Sequence, residues 1–264
     1  MIPIYVINLK RRADRKQKML DQFEKCKITN FKFVEAIDAK RPSDISKIIK
    51  AYNQRRAEKE NKPLVRADVA ISLSHIKAYR TMMADGYDNA IILEDDAVLE
   101  DNFVESINRL ENRPEEFIML GYYSSYEVDV HHKTNENVVY VTNGIKDTKV
   151  FLDKPVTNDE VFYKFKYPTM HMDFIYGYHG YYITQSGANK IINLNQSVFL
   201  EGDQALNYLT DEFDYACLYP QSVMPTKIDS DIDGRSEMQQ SIVPRKDRYV
   251  WYLGRYLHKD YGSL

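Results

Sequence analysis

Three features of the sequence predict an α/β fold with a mainly parallel central sheet flanked by helices. Strand-like and helix-like stretches alternate over about the first 120 residues. The strand-like runs "IPIYVINL" and "NAIIL" are nearly continuous in apolar character, as strands covered on both faces must be. The chain also has 264 residues, 44% of them hydrophobic, which is enough to bury one large core.

The elements follow in order. "IPIYVINL" is the first strand; its charges follow the apolar run, which is too short to span a bilayer, so it reads as part of the fold and not as a targeting segment. "ADRKQKMLDQFEKC" is a helix with Met19, Leu20, Phe23 and Cys26 on one face. "FKFVEAI" is a second strand. Ser43 and Asp44 can then cap a helix whose apolar residues are Ile45, Ile48, Ile49 and Tyr52. Its charged tail, "NQRRAEKENKP", is expected to run exposed to a stop at Pro63. "RADVAISLSHIKAYRTMMADG" is the next helix, with Val69, Leu73 and Ile76 inward and Gly86 as its stop. After the strand "NAIIL" come a helix carrying Phe103, Ile107 and Leu110 and the strand "FIML".

The second half is less regular. Residues 121–170 read as loops and short strands, "VVYV" and "VFYKFKY" among them. They are followed by a strand at "GYYIT", a helix over "SGANKIINL", a helix after Asp203 and a strand at "YACLYP". No linker, repeat or low-complexity segment interrupts the chain, so one domain over 1–264 is expected. It has a regular half (about 1–120), a less regular half (about 121–243) and a basic aromatic segment (244–264).

Composition excludes several classes. Thirty-six basic and 39 acidic residues give a net charge of -3, so no field favours nucleic acid. Cys26 and Cys217 are too few for a disulfide framework or a cysteine zinc site, and a reduced cytoplasm is the expected compartment.

The acids carry the first chemistry. Glu94, Asp95 and Asp96 stand together at the end of an apolar strand, where open α/β sheets bind their ligands. Alternation along the strand lets Glu94 and Asp96 converge while Asp95 turns aside. Two carboxylates suit Mg²⁺ or Mn²⁺; they would equally suit a solvated strand end capping the next helix. "NLKRRADR" places Asn8, Arg11, Arg12 and Arg15 at a helix start, fit for phosphate or for a plain basic face. Ser74, His75 and Lys77 lie on a helix without metal-ligand spacing, so His75 reads first as a hydrogen-bonded structural histidine. Glu201 and Asp203 flank a turn into a helix, where an acid can be a general base, a cap, or both. "MHMDFIYGYHGYYIT" offers His171, Tyr176, Tyr178 and His179 for a sugar or base pocket, or an aromatic edge strand that would include Tyr181 and Tyr182.

In this order, "YVINLKRRADR", "ISLSHIKAYR", "IILEDDAVL", "GYYITQSGANKII", "EGDQALNYL" and "YPQSVMPTKIDSDI" resemble the family 25 glycosyltransferases. These are bacterial lipooligosaccharide galactosyl- and glucosyltransferases, with the collagen galactosyltransferases as relatives, and the similarity runs from about residue 2 to 232. The resemblance implies a GT-A-like nucleotide-sugar transferase fold and metal-dependent transfer of a hexose from a UDP-sugar, with inversion, to a lipid-linked oligosaccharide acceptor. It makes "EDD" the counterpart of a DxD motif, with Asp96 on Mn²⁺ or Mg²⁺ and Glu94 on metal or ribose. Asn8, Arg12, Arg15, Ala36 and Asp38 would lie about the nucleotide, with Ser74, His75 and Asp95 in the same donor site. Asp203 would be the catalytic base. The chain departs from the family in having no glycine or cysteine before "LSH" and no proline two residues before Asp203, which keeps Glu201 as a rival base.

Two other classes use similar residues. A Mg²⁺-dependent phosphatase would want an early D-x-D, and a nucleotidyltransferase a glycine-rich loop, both absent near the first strand. A non-catalytic carbohydrate-binding module would use the 21 tyrosines but need no acid cluster. Finally, "VPRKDRYVWYLGRYLHKDYGSL" mixes basic residues with Tyr249, Trp251, Tyr252, Leu253 and Tyr256, and is expected either to touch the inner membrane surface or to pack on the domain.

Overall fold

A computed structural model describes residues 2–60, 63–111, 113–123, 129–133, 138–142, 147–152, 176–209, 214–219 and 221–226. Its elements are β1 (Ile4–Asn8), α1 (Ala13–Lys25), β2 (Phe31–Glu35), α2 (Pro42–Ala51), α3 (Gln54–Lys59), α4 (Arg66–Ala84), β3 (Asn89–Glu94) and β4 (Ala97–Leu99). There follow α5 (Phe103–Asn108), β5 (Phe117–Tyr123), β6 (Asp129–Lys133), β7 (Val138–Thr142), β8 (Asp147–Leu152), β9 (Tyr176–Thr184), α6 (Gln185–Leu194), α7 (Gln204–Tyr208), β10 (Tyr215–Tyr219) and β11 (Val223–Pro225). "VFYKFKY", His171 and the basic aromatic segment 244–264 lie outside the described residues.

Nine strands form one sheet in the order β2-β1-β3-β9-β5-β10-β8-β7-β6. Two blocks of it, β2-β1-β3 at one edge and β5-β10-β8 farther in, are parallel. β9 runs antiparallel between them, paired on both sides, and β7 and β6 continue the edge as antiparallel strands. The α/β class is therefore as read, while "GYYIT" forms an internal strand instead of an edge. Tyr181 and Tyr182 are core residues accordingly.

Alternation along the strands divides the core. Tyr5, Ile7, Ala90 and Ile92 face α4 and α6, where Ile76, Tyr79, Met82, Ala188 and Ile191 cover them. Ile4, Val6, Ile91 and Leu93 face the other way, against Met19 and Phe23 of α1 and Phe103 and Ile107 of α5. Coverage of both faces is what the unbroken apolar strand runs require. α4 stops where the sequence says it should: Gly86, at φ +82°, donates its N–H to the Met83 carbonyl, and Tyr87 donates to Met82, a glycine-terminated helix end.

α2 departs from the reading in two ways. Ser43 and Asp44 lie inside the first turn, after Arg41 at the N-cap, so neither is the cap. Asp44 instead turns inward, accepting from the Asp38 N–H and pairing with Arg41 and Lys47. Ile49 is 66% exposed, because the helix buries only a narrow stripe around Ile48. Nor does the charged tail extend the helix. The chain turns at Tyr52, whose neighbours exchange backbone hydrogen bonds with Val198, and begins α3, capped by the Asn53 side chain on the Arg56 N–H. Ala57 is buried there and the Arg56 guanidinium lies over the Phe199 ring at 3.6 Å.

A second sheet pairs β11 with β4. Val223 of β11 is buried against the main sheet at two glycines. A Cβ on Gly121 would come within 2.3 Å of the Val223 carbonyl oxygen, and one on Gly180 within 2.8 Å of the Val223 side chain. Both positions therefore need to be glycine. The same strand holds the acidic turn, since the Thr226 N–H donates to the Asp96 carbonyl at 2.9 Å.

Candidate active site

β1 and β3 pair in parallel with Ile7 opposite Glu94, so the basic helix start and the acids emerge at the same sheet edge. The antiparallel β9 pairs Leu93 with Gly180 and brings His179, from its early part, to the late end of β3. Glu94, Asp96 and His179 there offer ligand atoms all within 4.8 Å of one another. His179 Nδ1 is 3.6 Å from Glu94 Oε2.

Electrostatics separate the two acids. Burial pushes the Glu94 carboxyl up, but the imidazoles of His179 and His75 more than offset it and hold it well below the usual carboxylate range. Asp96 goes the other way: burial, then the Glu94 charge beside it, push it up to about 6. Burial works to lower His179, yet the Glu94 carboxylate and the charges of Asp96 and Asp203 carry it above its ordinary value.

Asp95 turns aside, although it and Asp96 lie in the turn after β3 and not on the strand. It accepts from Asn8 Nδ2 at 2.8 Å, from the Leu9 N–H at 3.4 Å and from Arg15 Nη1 at 2.9 Å. The same Arg15 nitrogen is 3.5 Å from Asp96 Oδ2. Asn8 and Arg15, expected against a nucleotide, are thus buried and bonded to Asp95, which they use to close the β1–β3 edge. Arg12 pairs with Asp14 and Arg11 with Asp38. The Ala36 N–H donates to the Asn8 carbonyl, and Ser74 Oγ donates to the Ala70 carbonyl while accepting from the Ile37 N–H. Asn8, Ala36, Asp38 and Ser74 therefore do meet, at the ends of β1 and β2 beside α4, with the Ser74 hydroxyl committed to backbone. Lys77 reaches the Glu35 carbonyl at 2.6 Å.

His75 is 2% exposed. Its Nδ1 is 2.6 Å from the Tyr181 hydroxyl and its Nε2 is 3.3 Å from Glu94 Oε1. The turn at Glu201–Asp203 lies over it, with the Gly202 Cβ position 3.6 Å from the His75 ring and from Tyr178. Ser72 Oγ anchors this turn through the Leu200 carbonyl. Asp203 Oδ2 accepts from the Gly177 N–H at 3.3 Å and adds to the negative field on His179. For Glu201, the structure fixes the backbone: its carbonyl accepts from the Gln204 N–H.

Sequence reading named His179 only as a pocket-lining residue. Its place beside the acids follows from the β3–β9 register, and "YGYHGYY" alone carries no sign of that.

The donor set of two carboxylates and one imidazole suits Mn²⁺ or a similar divalent ion. Asp96 Oδ1 is buried with no hydrogen-bond partner among the described residues, which a bound cation would remedy. The residues fit such a group.

A sheet that gathers acids and a histidine at the ends of its strands defines an α/β protein with a candidate ligand site there. The model of glycosyltransferase family 25 (LPS biosynthesis protein) matches residues 1–206, and the chain belongs to that family. Procollagen galactosyltransferase 2 of Mus musculus is 30% identical over 112 residues, covering 40% of this chain and 17% of that protein. The procollagen lysyl hydroxylase and glycosyltransferase of Acanthamoeba polyphaga mimivirus is 32% identical over 113 residues, covering 38% of this chain and 12% of the relative. The chain thus matches less than a fifth of the length of these relatives. Among solved structures, A197 from STIV gives a TM-score of 0.38 at 11% identity, covering 84% of this chain and 83% of that one, a loose likeness. Among the described residues no helix is long and apolar enough to cross a membrane.

Proposed function

We propose that the chain transfers a hexose, galactose in our reading, from a UDP-sugar to a saccharide acceptor of lipooligosaccharide or lipopolysaccharide, with inversion. The family description supports the acceptor class, and the procollagen galactosyltransferases support galactose. The observation that carries the reading is the buried Asp96 oxygen with no partner among the described residues, clustered with Glu94 and His179. Those three residues would hold Mn²⁺ or Mg²⁺, which when bound neutralises the diphosphate of the donor and so eases its departure.

The chain's own residues supply the rest. Arg15 keeps positive charge 3.5 Å from Asp96 and fixes the acidic turn against β1. Arg11 and Arg12, at the start of α1, are the cations placed to meet phosphate oxygens, each exchanging a carboxylate partner for the ligand. Inversion needs one base to take the proton of the acceptor hydroxyl on the face opposite the leaving diphosphate. Asp203 takes that role, supported by its place next to His179 and its tie to the Gly177 N–H; Glu201 is the rival. A lipid-linked acceptor at the cytoplasmic face of the inner membrane, touched by residues 244–264, completes the proposal. Liposome binding that survives deletion of those residues would remove that last part.

Release of UDP from a panel of nucleotide sugars, with Mn²⁺ or EDTA, tests the core of the reading. Cation-dependent turnover of one UDP-hexose, lost in Asp96→Ala, is the expected result. Turnover that is indifferent to EDTA and to the substitution would overturn it.

A further inference from the structure

We propose that His75 is a positioning residue which holds Glu94 for the cation, and that Tyr181 and Tyr79 fix its imidazole in the tautomer this requires. The inference rests on the reading of Glu94 and Asp96 as cation ligands.

The observation is a buried relay. Tyr79 OH is 2.7 Å from Tyr181 OH, which is 2.6 Å from His75 Nδ1; His75 Nε2 is in turn 3.3 Å from Glu94 Oε1. Both tyrosines are fully buried, and the Tyr181 ring is further fixed by stacking on Phe117 at 4.6 Å. Water therefore does not compete for these groups.

Proton accounting gives the relay a direction. An ionised Glu94 only accepts, so His75 Nε2 must carry a hydrogen. If Nδ1 also carried one, Tyr181 would accept it and donate onward to Tyr79. The Tyr79 proton would then be left buried with no acceptor among the described residues, a costly arrangement. In the other direction every proton is accepted: Tyr79 donates to Tyr181, Tyr181 to His75 Nδ1, and His75 Nε2–H to Glu94. The tyrosines thus select the neutral Nε2–H tautomer.

This polarity matters for Glu94. A neutral donor fixes Oε1 without cancelling the carboxylate's charge, and it leaves Oε2 turned to His179 and the cluster. Hydrogen bonds that orient a ligand carboxylate in this way affect metal affinity strongly. A histidine buried beneath the Gly202 turn is badly placed to contact a nucleotide, so its influence on the donor runs through Glu94.

Calorimetric titration of Mn²⁺ into the full chain tests this, with thermal melts of each variant alongside. His75→Met should weaken Mn²⁺ by roughly 10–100-fold, and Tyr181→Phe, which keeps the stacked ring, by about tenfold. His75→Gln keeps a donor near the Nε2 position and should recover affinity to within about threefold of wild type. Nitrogen-15 NMR of the wild-type histidines should show one in the Nε2–H tautomer, and that signature should be lost in Tyr181→Phe. Undiminished affinity in both His75→Met and Tyr181→Phe, beside a loss in Asp96→Ala, would overturn this inference alone. Should His75→Met fail to fold, Tyr181→Phe and the NMR tautomer decide. No Mn²⁺ binding by wild type would overturn the cation reading and this inference with it.

Discussion

Asn8 donates to Asp95 across the ends of two parallel strands, 2.8 Å from Nδ2 to Oδ2, and so closes the sheet edge at which the acids gather. The bond is buried and its acceptor is charged, which puts it among the stronger hydrogen bonds. Asn8→Ala should cost about 2 kcal/mol in urea unfolding. Asp95→Ala, which takes the nearer carboxylate from the buried Arg15 guanidinium, should cost about 3 kcal/mol. A smaller loss for Asp95→Ala than for Asn8→Ala would mean that Arg15 finds another home.

Asp96 gives a result of the opposite sign. Its buried oxygen, unpartnered among the described residues, sits beside the Glu94 charge, so without cation the charge on Asp96 is a liability. Asp96→Asn should melt a few degrees higher than wild type in EDTA, a gain of about 1 kcal/mol, and lose the stabilisation that Mn²⁺ gives wild type. Paired melts with and without the ion read both effects.

The glycine slot for Val223 separates two substitutions that look alike. Gly180→Ala meets the Val223 and Leu93 side chains, whereas Gly121→Ala meets the Val223 carbonyl. Each should destabilise by about 1–3 kcal/mol. Adding Val223→Ala should recover part of the loss for Gly180→Ala and none for Gly121→Ala, a difference that a double-mutant cycle measures directly.

Asp44 supplies a pH dependence. Burial raises its pKa, but Lys47, the Asp38 N–H and Arg41 outweigh that and lower it to about 2. A depressed carboxyl stabilises above its unfolded pKa of about 4 and loses this as pH falls toward 2. The stability gap between wild type and Asp44→Asn should therefore be full at pH 7 and shrink between about pH 4 and 2. A gap that stays constant across that window would show that the charge on Asp44 contributes nothing.

Much of this was legible in the sequence where short-range physics decides. The apolar runs at "IPIYVINL" and "NAIIL" marked two buried strands, and Gly86 marked the end of α4. Asp44 misled because a small acid ahead of an apolar stripe looks the same whether it caps a helix or turns inward to a pair of basic residues. Ile49 misled because the i, i+4 rule states which residues share a face, not how wide a face the rest of the fold will cover. The insertion of β9 between two parallel blocks, and with it the meeting of His179 with Glu94, depends on pairing between distant segments that no local pattern encodes.

That insertion bears on how the protein is made. Strands β1 and β3 can meet early, but the histidine of the acidic cluster arrives only once a strand from the second half of the chain has threaded between β3 and β5. Such non-local pairings are slow to form. If the cluster binds Mn²⁺ as proposed, that binding should appear in refolding with the last phase, after most helical signal has returned.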